Sequence, residues 1–430
     1  MISALGLLTQ RRFLPLFVTQ FLGAFNDNLF KQAMVLFATY QVFNDPEIEQ
    51  HFNALATGLA ILPFFLLSAL SGQLADTHDK ARIIRIVKTV EIFIMVFGAA
   101  GMLAAKAGYT SVGLGMMLGA VLMLGTHSTF FGPIKYAILP QHLQDEEVLG
   151  GTGMVEAATY LSILAGTVLA GFISVELAAG LVIIVALVGW VTGRMVPPAP
   201  RMGPELIINY NPLTSSWRLV SATMHIPRLF LAICAISFFW TIGSVLIIIF
   251  PALVKNVLTA DQAVASLTIA IFSVGVAIGS VAINAILRGR ISAQYSPAAV
   301  LAMAVFVVAF SVEARYFVPA PAGQLYGVWD FIAQPQALLV VATLFAIAIA
   351  GGMFVVPLYA FLTTTVTKDQ TARTVAANNI VNAGAMTIGA LSVMALTSLA
   401  KVTPENMLLL VAAMCLISAW IAQKLHRACD

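Results

Sequence analysis

Long apolar runs are the sequence feature that most limits what this chain can fold into. Most of them can cross about 30 Å of hydrocarbon at about 1.5 Å per helical residue. Hydrophobic residues make up 60% of the 430 residues and charged residues 10%, against about 25% charged in an average soluble protein. We therefore predict an all-α integral membrane protein with twelve transmembrane helices. Their approximate spans are 14–42, 52–73, 84–105, 110–132, 151–174, 177–194, 229–254, 262–287, 297–318, 335–362, 373–399 and 406–424.

Several function classes are excluded by charge and motif content. The net charge of +3 provides no basic surface for nucleic acid. Three cysteines and six histidines show no CxxC or HExxH spacing, so we expect neither a disulfide scaffold nor a metal site. The sequence also has no Ser-His-Asp order, no HxxxxD box and no glycine-rich phosphate loop. We expect no enzyme, no catalytic residue and no cofactor.

The distribution of basic residues predicts the orientation in the membrane. Seventeen of the 22 lysine and arginine residues fall in connections on one side of the predicted spans and four on the other, with Lys31 inside a span. Because basic residues concentrate in cytoplasmic connections, this bias predicts an even number of spans with both termini cytoplasmic. The connection 44–50, predicted to lie outside, is purely acidic, as this orientation requires.

A proline-rich connection divides the predicted spans six and six. It covers 195–227, between an N-terminal six-helix bundle (1–194) and a C-terminal one (228–430). Its prolines are Pro197, Pro198, Pro200, Pro204 and Pro212. Such a linker in the middle of a membrane protein predicts two halves that move against each other.

The two halves show signs of an internal repeat. The segment 135–139, after the fourth span, is similar to 358–362 after the tenth, a shift of 223 residues. The same shift aligns Glu156 with Asn379. Similar segments at equivalent places in both halves indicate two parallel six-helix pseudo-repeats.

The connection between the second and third spans resembles a known signature. Gly72 and Asp76, followed by Lys80 and Arg82, are similar to the signature loop of the major facilitator superfamily, which also has twelve spans in two halves. The resemblance implies that Asp76 accepts hydrogen bonds from backbone N–H groups at the start of the eleventh helix, near Arg373. A carboxylate is favoured at a helix N-terminus, so the contact would close the cytoplasmic side. We take these five residues as gating candidates.

Three further stretches resemble the lysophospholipid transporter family, the LplT type. They are QFLGAFNDN at 20–28, GPIKYAILP at 132–140 and SFFW at 237–240. The resemblance implies a secondary transporter that moves lysophospholipids, such as lyso-phosphatidylethanolamine, across the bacterial inner membrane to the cytoplasmic leaflet by alternating access. The partners expected are this substrate and the lipid bilayer, with a separate acyltransferase or acyl-ligase as a further candidate. Some members of the family carry such domains fused to the transporter. We expect no fused domain in this chain, and we expect a monomer.

Ionisable side chains at membrane depth are costly and therefore functional candidates. Asp27 and Lys31 lie at i and i+4 in the first span, and mutual neutralisation is the alternative to a substrate role. Lys135 could instead extend to the head groups, or pair with Glu156. Glu91 in the third span lies at i+3 from Lys88, and we expect these two to form a structural pair. The proposed substrate-binding residues are Gln20, Asn26, Asp27, Asn28, Lys31, Lys135, Tyr136, Glu156, Trp240, Tyr359 and Asn379.

Three functions remain open at this point. A zwitterionic head group needs a cation near its phosphate and a carboxylate near its ammonium, which Lys31 or Lys135 and Asp27 or Glu156 supply. A proton-coupled exporter of drugs or other amphiphiles would use Asp27 or Glu156 as the protonation site. A lipid scramblase or sensor is the third option, and saturation of the flux separates it from a transporter.

Overall fold

The computed structural model describes residues 4–42, 46–202, 207–400 and 402–429. Within these ranges twelve α-helices have at least 20 residues, and we name them α1 to α12. They are α1 Leu14–Phe37, α2 Pro46–Thr77, α3 Lys80–Lys106, α4 Thr110–Ala137, α5 Asp145–Ala170, α6 Val175–Arg194, α7 Pro227–Asn256, α8 Gln262–Leu287, α9 Ser296–Arg315, α10 Ala337–Thr364, α11 Thr371–Leu399 and α12 Pro404–Cys429. Each predicted span therefore corresponds to one helix.

Ten of these helices are long and apolar enough to cross a membrane, judged over the described residues by length and composition. The two that fall short are α1 and α11. Both carry polar side chains within the helix, such as Asn26 and Asp27 in α1 and Asn378 and Asn379 in α11. The two helices that fall short are thus rich in the residue types from which a polar site could be built.

The ends of α4 and α5 differ from the predicted ends. The helix α4 continues to Ala137, so Lys135 lies in its last turn rather than beyond it. The helix α5 begins at Asp145, six residues before the predicted start, because Gln144 and Glu147 form a capping box there. Glu156 is consequently about 16 Å into its helix by helical rise, deeper than the sequence indicated. Because the first turn of such a helix is polar, an estimate based on apolar runs places its start too late.

The described parts of the connection 195–227, which are 195–202 and 207–227, include a helix and contacts with α3. The helix lies at Pro212–Met224, and the Ala199 carbonyl of the connection accepts from the Lys80 amide over 3.0 Å. The Asp79 carboxylate caps α3 and also accepts from the Ala199 amide over 2.9 Å. This connection is therefore fastened to the start of α3. Pro204 of the connection, Asn44 and Asp45 of the acidic loop, and Lys401 lie outside the described residues.

The chain forms two compact units. The first unit comprises 1–223 together with 363–380, and the second comprises 224–362 together with 381–430. In the first unit α1 packs against α5 and α6, while α4 packs against α2 and α3. In the second unit α12 packs against α7 and α9. The division into halves at the 195–227 linker stays a prediction about which parts move together.

Candidate functional site

Three helices of the first unit bring five polar side chains together, which we call the Glu156 cluster: Gln20, Lys135, Tyr136, Glu156 and Thr159. The Tyr136 hydroxyl donates to Glu156 Oε1. Thr159 Oγ1 accepts from Lys135 Nζ over 3.4 Å and from Gln20 Nε2 over 3.3 Å. Glu156 is fully buried, and its Oε2 atom has no hydrogen-bond partner among the described residues.

Lys135 and Glu156 do not form the direct pair that the sequence left open. No ion pair within 4.0 Å joins them in the described part of the chain, and Tyr136 lies between the two charges instead. The Lys135 ammonium is 4.8 Å from the centroid of the Tyr136 ring, within the range of a cation–π contact. Tyr136 thus contacts both Lys135 and Glu156, and the ammonium and the carboxylate do not bond each other.

A second group, which we call the Asp27 cluster, consists of Asp27, Lys31 and Ser128. The Ser128 hydroxyl donates to Asp27 Oδ2 over 2.5 Å, while Asp27 Oδ1 is buried with no hydrogen-bond partner in the described chain. Lys31 is one turn further along α1 and is half-buried. In the described residues no ion pair within 4.0 Å joins Asp27 to Lys31, although Asp27 is a charged neighbour of Lys31. The two side chains therefore balance each other's charge without a direct contact.

The two clusters share one stripe of the first unit. Gln20 and Asp27 are seven residues apart on α1, and Ser128 and Lys135 are seven residues apart on α4. Seven helical residues return to nearly the same face about 10 Å further along the axis. The stripe therefore has two levels, the Glu156 cluster and the Asp27 cluster. Each level contains one carboxylate and one ammonium, and one oxygen of each carboxylate has no donor in the described chain.

Asn26 and Asn28 lie in different environments from Asp27. The Asn26 amide donates to Glu91 Oε1 over 3.2 Å and to the Val182 carbonyl over 3.0 Å, so it faces α3 and α6. The Asn28 amide donates to the Ala24 carbonyl in its own helix over 2.7 Å. The structure therefore places neither asparagine in a hydrogen bond with the Asp27 cluster.

Asn26 is part of a third group, which we call the Glu91 cluster: Asn26, Lys88, Glu91 and His127. The Lys88 ammonium forms an ion pair with Glu91, as the i, i+3 spacing predicted. His127 Nε2 lies 3.2 Å from Glu91 Oε2. Sequence reasoning missed His127, because no local spacing connects it to Glu91, and its only signal was a histidine at membrane depth.

The second unit contains two of the predicted aromatic residues. Trp240 Nε1 donates to the Tyr359 hydroxyl over 2.7 Å, which joins α7 to α10. Next to them the Ser237 hydroxyl donates to Asn382 Oδ1 over 2.7 Å. Asn382 was not among the predicted site residues, since a lone asparagine in an apolar run gives no sign of the side it faces.

Asn379 lies in the part of α11 that belongs to the first unit. Its side-chain amide is 3.4 Å from the position that a Cβ atom on Gly132 would take. The neighbouring Asn378 is fully buried, and neither of its side-chain polar atoms has a hydrogen-bond partner in the described chain. Sequence reasoning missed Asn378.

The predicted contact of Asp76 with the start of α11 is present. Asp76 Oδ1 accepts from the Ala372 amide over 3.0 Å, and Oδ2 accepts from the Arg373 amide over 3.0 Å and from Arg373 Nε over 2.9 Å. Gly72 makes the contact possible, because a Cβ atom there would lie 2.7 Å from Ala376 Cβ. Both carboxylate oxygens are thus bonded at a helix N-terminus.

The two basic gating candidates lie in the first turn of α3. Lys80 is fully buried, and its ammonium has no hydrogen-bond partner within the described ranges, although Asp76 and Asp79 are among its nearest charges. Arg82 is exposed. Lys80 therefore contributes charge beside the Asp76 contact, while Arg82 points away from it into the surroundings.

A family comparison decides what this arrangement belongs to. The model of the Major Facilitator Superfamily matches residues 16–390, which is most of the chain. The chain belongs to the major facilitator superfamily. It is therefore a multi-pass membrane transporter, and its helices form the major facilitator fold. The resemblance seen in the 72–82 loop is confirmed at the level of the family.

Curated relatives are similar over most of their length. The chain is 26% identical over 387 residues to the lysophospholipid transporter LplT of Cronobacter sakazakii, covering 87% of this chain and 85% of that protein. It is 25% identical over 368 residues to LplT of Serratia proteamaculans, covering 83% and 80%. Within the superfamily the chain is therefore LplT-like.

Solved structures confirm the fold. A bacterial homologue of the iron transporter ferroportin, in an outward-facing state, superposes with a TM-score of 0.74 at 14% identity and covers 97% of this chain and all of that one. The proton:xylose symporter XylE gives a TM-score of 0.69 at 12% identity, covering 96% of both chains. At such identities the likeness extends to the fold alone.

Proposed function

We propose that this transporter moves lysophospholipids, such as lyso-phosphatidylethanolamine, to the cytoplasmic leaflet of a bacterial inner membrane by alternating access. The observation that carries the proposal is the similarity to proteins named lysophospholipid transporter LplT, at 25–26% identity over 83–87% of the chain. The similarity extends over most of the chain.

The polar stripe of the first unit has the chemistry that a zwitterionic head group requires. The phosphate needs a cation, and Lys135 and Lys31 stand at the two levels of the stripe. The ammonium needs a carboxylate, and Glu156 and Asp27 each keep one oxygen that has no donor among the described residues. A charge-assisted hydrogen bond to such an oxygen is stronger than one between neutral groups. We propose that the head group binds along this stripe, with Gln20 and Tyr136 orienting the charged side chains.

Asp76 would act as the gate in this scheme. Its carboxylate holds the N-terminus of α11 through two backbone amides, so breaking these bonds must accompany any separation of α2 from α11. We propose that the bonds are intact while the predicted cytoplasmic side is closed. Gly72, Lys80 and Arg373 would support this closed arrangement, whereas Arg82, which lies apart from the contact, would not.

A flux assay in reconstituted vesicles tests the proposal. Labelled lyso-phosphatidylethanolamine should cross the bilayer with saturable kinetics when the protein is present, and an imposed proton gradient should leave the rate unchanged. A linear, unsaturable dependence on substrate would instead identify a scramblase. Absence of flux above that of protein-free vesicles would overturn the lysophospholipid assignment.

One observation favours a second candidate, a proton-coupled exporter of amphiphilic compounds. Asp27 and Glu156 each have a buried carboxylate oxygen without a donor in the described chain, and a bound proton would satisfy such an oxygen as well as an ammonium would. In this case flux of an amphiphilic cation should collapse with the proton gradient. The same vesicles separate the two candidates, since only the exporter depends on the gradient.

The predicted orientation can be tested in cells. Tyr109, in the α3–α4 connection, and Met202, in the 195–227 connection, are both exposed and lie on opposite sides in the predicted topology. In a background without cysteines, Tyr109→Cys should react with an impermeant reagent added outside and Met202→Cys should not. Reaction of Met202→Cys first would reverse the proposed location of the termini.

A further inference from the structure

The outer face of the first unit has an apolar groove between α2, α3 and α4, which we call the α2–α3–α4 groove. Its volume is about 540 Å³, within the range of roughly 300–1,000 Å³ found for sites of small ligands. Leu74 lines it from α2, Ile86, Val87 and Val90 from α3, and Met123 from α4. None of the residues proposed to bind the head group lines it.

The groove has the dimensions of one leaflet of the bilayer. It extends along α3 from Ile83 to Ile94, which is about 16 Å by helical rise. Half of a hydrocarbon core of about 30 Å is nearly the same length. Ile86, Val90 and Met123 are also exposed, so the groove opens towards the surrounding lipid rather than into the helix bundle.

Basic groups stand at one end of the groove, where α2 ends and α3 begins. His78 lines that end and is exposed. Arg82 is exposed as well and precedes Ile86 by one helical turn, so it lies near the same stripe of α3. An apolar groove one leaflet deep, with the Arg82 guanidinium and the His78 imidazole at its mouth, complements an acyl chain that carries a phosphate.

We propose that the α2–α3–α4 groove binds one acyl chain of a glycerophospholipid from the surrounding leaflet, with its phosphate at Arg82 and His78. The walls are apolar and face hydrocarbon, so an acyl chain of the bilayer fills them without any polar group losing hydrogen bonds. This site is separate from the polar stripe and does not depend on which substrate the stripe binds.

The position of the groove gives the bound lipid a structural consequence. His127 lies in the groove wall and contacts Glu91 on its inner side. Leu74, in the α2 wall, is two residues from Asp76. An acyl chain in the groove therefore excludes water from the Glu91 cluster and packs against the end of α2 that contains Asp76.

Photocrosslinking tests this proposal. The full chain is reconstituted in nanodiscs with a phosphatidylethanolamine that carries a diazirine in its acyl chain, and adducts are mapped by mass spectrometry. Adducts should concentrate on 83–94 and 123–130. Val90→Trp fills the groove and should lower their yield about tenfold, since loss of roughly two buried methylenes suffices for that change in affinity. Arg82→Gln should lower it severalfold.

Val96→Trp is the matched control, because Val96 lies on the same helix outside the groove and is 47% exposed against 43% for Val90. It should keep the wild-type yield. Met123→Trp fills the groove from α4 and replaces Val90→Trp if that variant fails to fold. Equal yields from Val90→Trp and Val96→Trp, or adducts spread evenly over α3, would overturn the site.

Two further outcomes distinguish parts of the proposal. If Arg82→Gln leaves the yield unchanged, the phosphate does not lie at Arg82 and that assignment is wrong. If excess lyso-phosphatidylethanolamine suppresses the adducts while the same concentration of diacyl lipid does not, the occupant is a single-chain lipid rather than a bilayer phospholipid. Neither result uses a flux measurement, so failure of the proposed transport function leaves this test unaffected.

Discussion

Glu91 and Asp27 are two carboxylates in the interior of the same helical unit, and they differ in how fully their oxygens are bonded. Glu91 Oε1 accepts from Asn26, and Oε2 contacts both Lys88 and His127. Asp27 Oδ2 accepts from Ser128, but its Oδ1 has no donor in the described chain. Asn26 and Asp27 are adjacent in sequence, yet Asn26 donates to a carboxylate whose two oxygens are both contacted, whereas one oxygen of Asp27 has no donor in the described chain. Asn26 Oδ1 has no hydrogen-bond partner in the described residues either, so the contrast holds for the carboxylates and not for every group around them.

The difference separates a structural role from a functional one. An ionisable group at membrane depth is a functional candidate by default, and both carboxylates meet that description. Both oxygens of Glu91 are already contacted, so a substrate ammonium has no open carboxylate oxygen to bind there. Asp27, like Glu156, keeps an oxygen that a head-group ammonium or a proton can occupy. Completeness of the hydrogen bonding, rather than the residue type, distinguishes the two sites.

The largest expected effect is a loss of stability when the ion pair of the Glu91 cluster is broken. Lys88→Met removes the cation and leaves Glu91 as an uncompensated buried charge, which should cost about 3–5 kcal/mol of unfolding free energy. Denaturant titration in detergent measures it. The double variant Lys88→Met with Glu91→Leu should recover most of the loss. If Lys88→Met is as stable as wild type but transports nothing, the Glu91 cluster is functional after all.

The next effect concerns transport at the Asp27 cluster. Asp27→Asn should reduce flux of lyso-phosphatidylethanolamine by about 1.5–3 kcal/mol in transition-state terms, roughly 10- to 100-fold, because a charged hydrogen bond to the ammonium is lost. Flux of lyso-phosphatidylglycerol, which lacks the ammonium, should fall less. The ratio of the two fluxes in vesicles is the measurement, since an unpaired Lys31 lowers both.

A neutral pair supplies the control for that ratio. Asp27→Asn combined with Lys31→Gln removes both charges, so it should restore folding and expression while the altered ratio persists. An unchanged ratio, together with wild-type flux that follows an imposed pH gradient, would favour the proton-coupled exporter and remove the head-group role of Asp27.

A smaller effect is expected at Asp76, whose carboxylate oxygens accept hydrogen bonds from the N-terminus of α11. Asp76→Asn removes the charge at the α11 N-terminus, which should cost the closed arrangement about 1–2 kcal/mol. In a cysteine-free background, a cysteine replacing the buried Ala376 should then react about 5- to 30-fold faster with a thiol reagent. A labelling rate equal to that with Asp76 intact would contradict the gate.

The smallest effect is expected at Thr159, which joins Gln20 and Lys135. Thr159→Val removes a shared hydroxyl and should lower the unfolding free energy by about 0.5–1.5 kcal/mol. Thr159→Ser keeps the hydroxyl and serves as the matched variant, with stability near wild type. A loss in Thr159→Ser with none in Thr159→Val would mean that packing of the methyl group, rather than the hydrogen bonds, stabilises the Glu156 cluster.

The sequence by itself determined the architecture. Twelve apolar runs predicted twelve helices, because in a membrane only a helix satisfies every backbone polar group of an isolated segment. Local spacing also predicted the Lys88–Glu91 pair, and the resemblance of the 72–82 loop predicted the Asp76 contact. The start of α5 was wrong, because Gln144 and Glu147 cap it within polar sequence.

Only the tertiary structure decided which polar groups are satisfied. Asp27 meets Ser128 across 101 residues of sequence, and Asn26 meets Glu91 across 65. Helical periodicity fixes the angle between Asn26 and Asp27 on α1, but it cannot say which helix faces each of them. His127 was missed for the same reason. A hydrogen bond between helices depends on how the helices pack, so the open oxygens of Asp27 and Glu156 became visible only once the helices had been placed against one another.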